Sequence, residues 1–135
     1  MTYALDTNII SYFLKDNRLV QENFRRALAN GDSLIIPPIV YYEIKRGFYL
    51  NPAPSKEKIF GRMCLDYAAG TLNNRCFDYA AKLYAESIST GFNDKDADLL
   101  IAAFCVVGGH TLVTANKRDF ERVDALNLVN WAEPF

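Results

Sequence analysis

The stretch Asn93-Asp94-Lys95-Asp96-Ala97-Asp98-Leu99-Leu100-Ile101-Ala102-Ala103-Phe104-Cys105-Val106-Val107 sets three acids within five residues against nine apolar or small residues in unbroken succession. The acids suit a helix start. Asp or Asn caps the first N–H groups, and first-turn carboxylates meet the positive end of the helix dipole. A helix that is apolar all round belongs at the centre of a fold. Asp98 does not fit that simple reading. It shares a face with Ile101, Ala102 and Cys105, at i+3, i+4 and i+7, so its carboxylate lies on a surface meant for burial. Such a charge is costly unless something cationic compensates it.

On the N-terminal side of this helix, Tyr3-Ala4-Leu5 reads as a short strand that runs into Asp6-Thr7-Asn8. Asp6 and Thr7 are both capping residues, and they predict a first helix from Ile9 to Leu14. Asp6 is either that cap or, at the carboxyl end of a strand in an α/β fold, a site residue. Val20, Phe24, Ala27 and Leu28 mark a second helix closed by Asn30-Gly31. Leu34-Ile35-Ile36 is a second strand, ended by Pro37-Pro38. Val40, Glu43, Ile44, Gly47 and Phe48 then recur at helical spacing, which puts Glu43 inside an apolar stripe. A glutamate on a packing face needs a partner: a salt-bridging Lys or Arg, or a shared metal ion.

After the loop Asn51-Pro52-Ala53-Pro54-Ser55, with Ser55 as its N-cap, Ile59, Met63 and Tyr67 predict a helix ended by Gly70. Arg75-Cys76-Phe77 is a candidate third strand, and Phe77, Ala81, Tyr84 and Ile88 form a helix ending near Gly91. That tyrosine-rich stripe reads as core or a dimer face rather than a cofactor site. Beyond the central helix, Gly108-Gly109 breaks the chain, and Thr111-Leu112-Val113-Thr114 is a strand. The polar segment Ala115–Phe120 leads to a last strand within Leu126–Trp131. Strands and helices alternate throughout. The expected fold is α/β, a short, mostly parallel sheet flanked by helices on both faces, built as a single domain over residues 1–135.

Half of the residues are hydrophobic and 23% are charged, an ordinary globular balance. The longest apolar run falls short of a bilayer span, and no basic segment followed by a long apolar stretch opens the sequence. A cytoplasmic protein without a membrane segment is expected. Cys64, Cys76 and Cys105 form no C-x-x-C pair and suit a reducing compartment. The only histidine, His110, has no cysteine near it, so a zinc ligand set is lacking. The net charge of −1 argues against a general polyanion-coating protein. Basic clusters such as Lys15/Arg18, Lys45/Arg46 and Lys56/Lys58/Arg62 are mostly explained as solvated helix faces, and a small phosphate-contacting patch stays open.

Asp6, Glu43 and Asp98 are far apart in sequence, and only the fold can join them. Joined, they repel one another unless a cation is present. Oxygen-only ligands suit Mg²⁺ or Mn²⁺, whose usual service is phosphoryl transfer. No G-x-S-x-G and no Gly-rich phosphate loop offers a competing chemistry. The D-x-D arrangement of Mg²⁺-dependent phosphatases is absent, because Asn8 stands where its second Asp would be.

The opening Met1-Thr2-Tyr3-Ala4-Leu5-Asp6-Thr7-Asn8-Ile9-Ile10-Ser11 resembles the start of PIN-domain ribonucleases of the VapC toxin group. Ala97-Asp98-Leu99-Leu100-Ile101-Ala102-Ala103 is similar to that family's D-x-x-I-A-A segment. Leu112-Val113-Thr114-Ala115-Asn116, Asp119-Phe120 and Leu128-Val129-Asn130-Trp131 fit its C-terminal pattern, so the ordered set spans the chain. The resemblance implies a PIN-like fold and a metal-dependent endoribonuclease that acts on RNA as the toxin of a type II toxin–antitoxin pair. It further implies a homodimer inhibited by a cognate VapB-type antitoxin. Asp6 and Asp98 are the implied metal ligands, for Mg²⁺ with Mn²⁺ as the alternative. Glu43 is either a further ligand or the group that orients the attacking water. The fourth acidic position falls on Asn116, a departure that removes one negative charge, and Asp119 either compensates or is a solvated turn residue. Asp96 is either a supporting acid or a first-turn dipole partner. Thr7 and Thr114 are candidate hydrogen-bond partners of the carboxylates. The competing expectation is a catalytically inactive PIN-like binding module, with Asn116 as its weak point.

Overall fold

A computed structural model describes residues 1–67 and 70–134. Four short strands, β1 (Thr2–Leu5), β2 (Ser33–Ile35), β3 (Thr111–Val113) and β4 (Asn127–Val129), form one sheet in the order β2-β1-β3-β4. All the pairings are parallel: Tyr3 lies opposite Leu34 on one side and Thr111 on the other, and Leu112 lies opposite Leu128. Successive strand residues point to opposite faces, yet Ala4 and Leu5 are both fully buried, as are Leu112 and Val113. The inner strands are therefore covered on both sides, as parallel sheets require.

Helices α1 (Thr7–Leu14) and α2 (Arg18–Ala29) connect β1 to β2. Helices α3 (Pro38–Leu50), α4 (Pro54–Asp66), α5 (Asn74–Ser89) and α6 (Asp96–Gly108) connect β2 back past β1 to β3. Parallel crossovers are right-handed, so two connections that travel in opposite directions lie on opposite faces of the sheet. The reversal makes the carboxyl ends of β1 and β3 a topological switch point, where sheets of this type open a crevice.

Local chemistry sets the helix ends. The side chains of Asp6, Asn17 and Asn73 accept the N–H groups of Thr7, Val20 and Cys76 at 2.8, 3.0 and 3.1 Å. Helices α3 and α4 place proline in their first turn, where the missing N–H costs nothing. Helix α6 ends on Gly109, whose φ of 70° lies in the left-handed region that favours glycine. One hydrophobic core unites the layers: Phe24 of α2, Phe60 of α4, Ile9 and Ile10 of α1, Ile101 of α6 and Leu112 of β3. The central helix is as buried as its composition requires, with Leu99 and Ile101 to Cys105 all inside.

Several local expectations are corrected. Arg75-Cys76-Phe77 is the first turn of α5, not a strand, because Asn73 caps it and its apolar residues continue at helical spacing. Ser55 lies inside α4 and Ala53 is the N-cap; Glu57 Oε2, one turn on, accepts the Ala53 N–H at 3.0 Å. That helix ends at Asp66 rather than Gly70, and residues 68 and 69 lie outside the described residues. Within it Phe60 and Met63 face inward while Ile59 is exposed. The N-cap of α6 is Lys95, without a side-chain cap bond, because Asp94 is drawn away to Arg122. The α5 stripe is not core: Phe77, Tyr84 and Ile88 are each 48% exposed, whereas Cys76, Ala80, Leu83 and Ser87 pack inward. Leu28 likewise faces out from α2.

Candidate active site

The ladder of the inner strands runs one residue past their ends. The Asp6 N–H donates to the Val113 carbonyl and the Thr114 N–H to the Val129 carbonyl, each at 2.9 Å. The side chains of Asp6 and Thr114 are thereby fixed at the carboxyl edge of the sheet. Asp6 is only 5% exposed, and both of its oxygens are engaged. Oδ1 accepts the Thr7 N–H, while Oδ2 accepts the Thr114 hydroxyl at 2.7 Å and the Asn8 amide at 3.3 Å. Thr114, itself fully buried, accepts the Asn116 N–H at 3.0 Å in return. Asn8 Oδ1 accepts the Ala115 N–H at 3.0 Å and ties the head of α1 to the loop after β3. Burial raises the Asp6 pKa above the ordinary carboxylate value and the nearby Glu43 adds to this, against the lowering effect of Thr114, Thr7 and Asn8. The three donors thus hold a charge that burial disfavours.

Glu43 comes from the second turn of α3. Its Oε1 accepts the Thr7 hydroxyl at 2.8 Å, and its Oε2 lies 3.6 Å from Arg46 Nη2, one turn on. The expected salt bridge is therefore present, and Glu43 still borders the space that Asp6 and Asp98 share. Asp98 stands in the first turn of α6, and its pKa is pushed up to about 6. Burial is the main cause, followed by the charges of Asp119, Asp6 and Glu43, and Lys95 opposes them. These four carboxylates therefore feel one another across a common space.

That space is a cleft of about 270 Å³ lined by Asp6, Thr7, Asn8, Glu43, Lys95, Ala97, Asp98, Asn116 and Asp119. Among the sequence candidates, Asp6, Thr7, Glu43, Asp98, Asn116 and Asp119 reach it, and Thr114 acts from beneath through Asp6. Asp96 does not; it lines a groove with Phe77 and Tyr84 on the α5 side. Asp119 closes the short 3₁₀ turn Lys117–Asp119 and is the largest charge effect on Asp98, so the carboxylate that Asn116 lacks is present three residues on. Sequence reasoning missed Lys95 and the structural part of Asn8. The signal for Lys95 was visible as a single cation between Asp94 and Asp96.

The donors are all oxygens, crowded like charges with one lysine among them, and such a set fits a hard divalent cation. Among the described residues, no three Asp, Glu, His or Cys side chains are gathered as a ready-made metal cage. The acids ring an open cleft.

The PIN domain family model matches residues 3–126. Ribonuclease VapC2 of Rickettsia felis is 32% identical over 136 residues, covering 97% of this chain and 98% of that protein. Ribonuclease VapC2 of Haemophilus influenzae is 30% identical with the same coverage. The fold superposes with a TM-score of 0.88 on a crystal structure of VapBC2 from Rickettsia felis bound to a DNA fragment from their promoter, at 27% identity and covering 97% of this chain and 99% of that one. The ordered strand-end and helix-head acids, the parallel sheet and these likenesses agree: the chain belongs to the PIN-domain family, within its VapC group.

Proposed function

We propose that this chain is a metal-dependent endoribonuclease, the toxin of a type II toxin–antitoxin pair, which hydrolyses RNA phosphodiester bonds in the acidic cleft. One observation carries the reading: Asp6, Glu43, Asp98 and Asp119, from four separate elements, line a single crevice at the switch point of the sheet. The ribonuclease naming of the Rickettsia felis relative supports the substrate class.

Asp6 and Asp98 would hold Mg²⁺ or Mn²⁺. When bound, such an ion supplies a water of lowered pKa and positive charge for the phosphodiester oxygens. Asp6 is pre-set for this by three hydrogen bonds, since a ligand whose rotamer is locked needs little reorganisation. Glu43, held by Thr7 and Arg46, either joins the ligands or orients the attacking water. Asp119 supplies the fourth carboxylate, and Asn116 offers an amide oxygen. Lys95 lines the same cleft and would serve as a counter-charge to the scissile phosphate.

The partner in this reading is a VapB-type antitoxin, in line with the VapBC assembly of the Rickettsia felis structure. The toxin itself is a homodimer, for which the exposed α5 stripe of Phe77, Tyr84 and Ile88 is the candidate face. A cytoplasmic setting accords with three free cysteines, and no helix among the described residues is long and apolar enough to cross a membrane.

RNA cleavage by purified, antitoxin-free protein tests the reading, run with Mg²⁺, Mn²⁺ or EDTA beside Asp98→Asn. The expected result is metal-dependent cleavage that the variant loses. Intact RNA under every metal, with Mg²⁺ still bound by calorimetry, would leave an inactive binding module.

A further inference from the structure

A second cavity, of about 550 Å³, opens between α1, α3 and the start of α4. It adjoins the acidic cleft, because Thr7 and Glu43 line both. Its floor is apolar, from Leu14, Ile44 and Phe48, and its rim carries Lys15 and Lys56. Among the described residues neither lysine forms an ion pair, although Lys56 is partly buried. A lysine with no carboxylate partner is available to the phosphates of a bound strand. Gly47 also lines the groove, in the interior of α3. No backbone turn requires it, and a Cβ there would meet nothing within 4 Å. Glycine is the poorest helix former after proline, so its presence here sacrifices helix stability and leaves the floor low.

We propose that this groove holds the RNA segment next to the bond being cut, with Lys15 and Lys56 on its phosphates and Gly47 making room for the strand. The inference rests on the acidic cleft being the place of cleavage. A strand whose scissile phosphate lies between Asp6 and Asp98 must continue across one of the walls, and the wall of Thr7 and Glu43 leads into the groove. The pairing of apolar floor and basic rim is that of single-strand binding sites, where bases rest on apolar surface and cations follow the backbone. An acidic peptide is the competing occupant.

The test measures binding of a fluorescein-labelled single-stranded octauridylate by anisotropy, in Mg²⁺ and in an Asp98→Asn background so that the probe persists. Lys15→Gln with Lys56→Gln should weaken binding about tenfold, as for two phosphate contacts. It should also lower the slope of log Kd against log salt by about 1.4. Gly47→Leu should weaken binding while raising thermal stability, and Gly61→Leu, an exposed α4 position that also has open space, should leave affinity unchanged. Unaltered affinity and salt slope in the lysine double variant, or no octauridylate binding by the parent, overturns the proposal. So does a double variant that binds RNA normally but is no longer inhibited by the antitoxin, which would make the groove a peptide site. Failure of the nuclease reading is seen separately, in the cleavage of RNA by protein that retains Asp98.

Discussion

Asp98 shows how one side chain carries both a stability cost and a function. Its folded pKa of about 6 exceeds the ordinary aspartate value of 3.8, so the folded chain holds this proton more tightly than the unfolded chain does. The associated stability is fully present below pH about 4 and is lost as pH rises through about 6. Asp98 is partly buried, and solvent screening limits the cost of its ionised form at neutral pH to about 1 kcal/mol. In EDTA, Asp98→Asn should therefore melt at or above the wild-type temperature at pH 7.5, and the difference should vanish near pH 4. A variant that melts lower at both pH values would show that the carboxylate is structural. Thr114 is the opposite case. It is fully buried, donates to Asp6 and accepts from the Asn116 N–H, so Thr114→Val keeps the shape and strands both partners. A loss of about 1–3 kcal/mol is expected in urea unfolding, together with weakened metal binding by calorimetry.

At the scale of elements, Asn73 decides what Arg75-Cys76-Phe77 becomes. A three-residue apolar patch suits a strand as well as a helix, and the cap settles the matter by accepting the Cys76 N–H. Asn73→Ala should cost about 1 kcal/mol in chemical denaturation without altering the cleft. The head of α6 is held differently. Arg122, from the segment between the 3₁₀ turn and β4, pairs with Asp94 and lies 3.9 Å above the Phe92 ring. The buried Ser87 hydroxyl accepts the Asp94 N–H at 3.1 Å. These contacts bind the loop before Asp98 to the segment after Asp119, so Arg122→Ala should speed amide exchange across residues 92–98 while the core strands stay protected.

For the whole molecule, the α5 stripe is the feature whose meaning exceeds one chain. Phe77, Tyr84 and Ile88 expose a contiguous apolar row, and rows of that kind mark interaction surfaces. If the proposed homodimer forms through this face, Phe77→Glu combined with Tyr84→Glu should leave only monomer in analytical ultracentrifugation, with little change in unfolding free energy. A sedimentation coefficient equal to that of the wild-type chain would overturn the assignment of this face to the proposed dimer. The sequence by itself determined the parallel α/β order, the buried central helix and the three acids of interest, because hydrophobic period and capping chemistry are local. It also exposed Asp98 as misplaced, since a carboxylate within an apolar stripe is an anomaly that needs no coordinates to detect. Only the tertiary structure decided which acids meet. Asp6, Glu43, Asp98 and Asp119 converge because the chain reverses direction across the sheet between β1 and β3, and no local pattern encodes that reversal. The outward turn of the α5 stripe had the same origin. A helix with apolar residues on two faces can bury either one, and only packing against α6 chose the row of Cys76, Ala80 and Leu83.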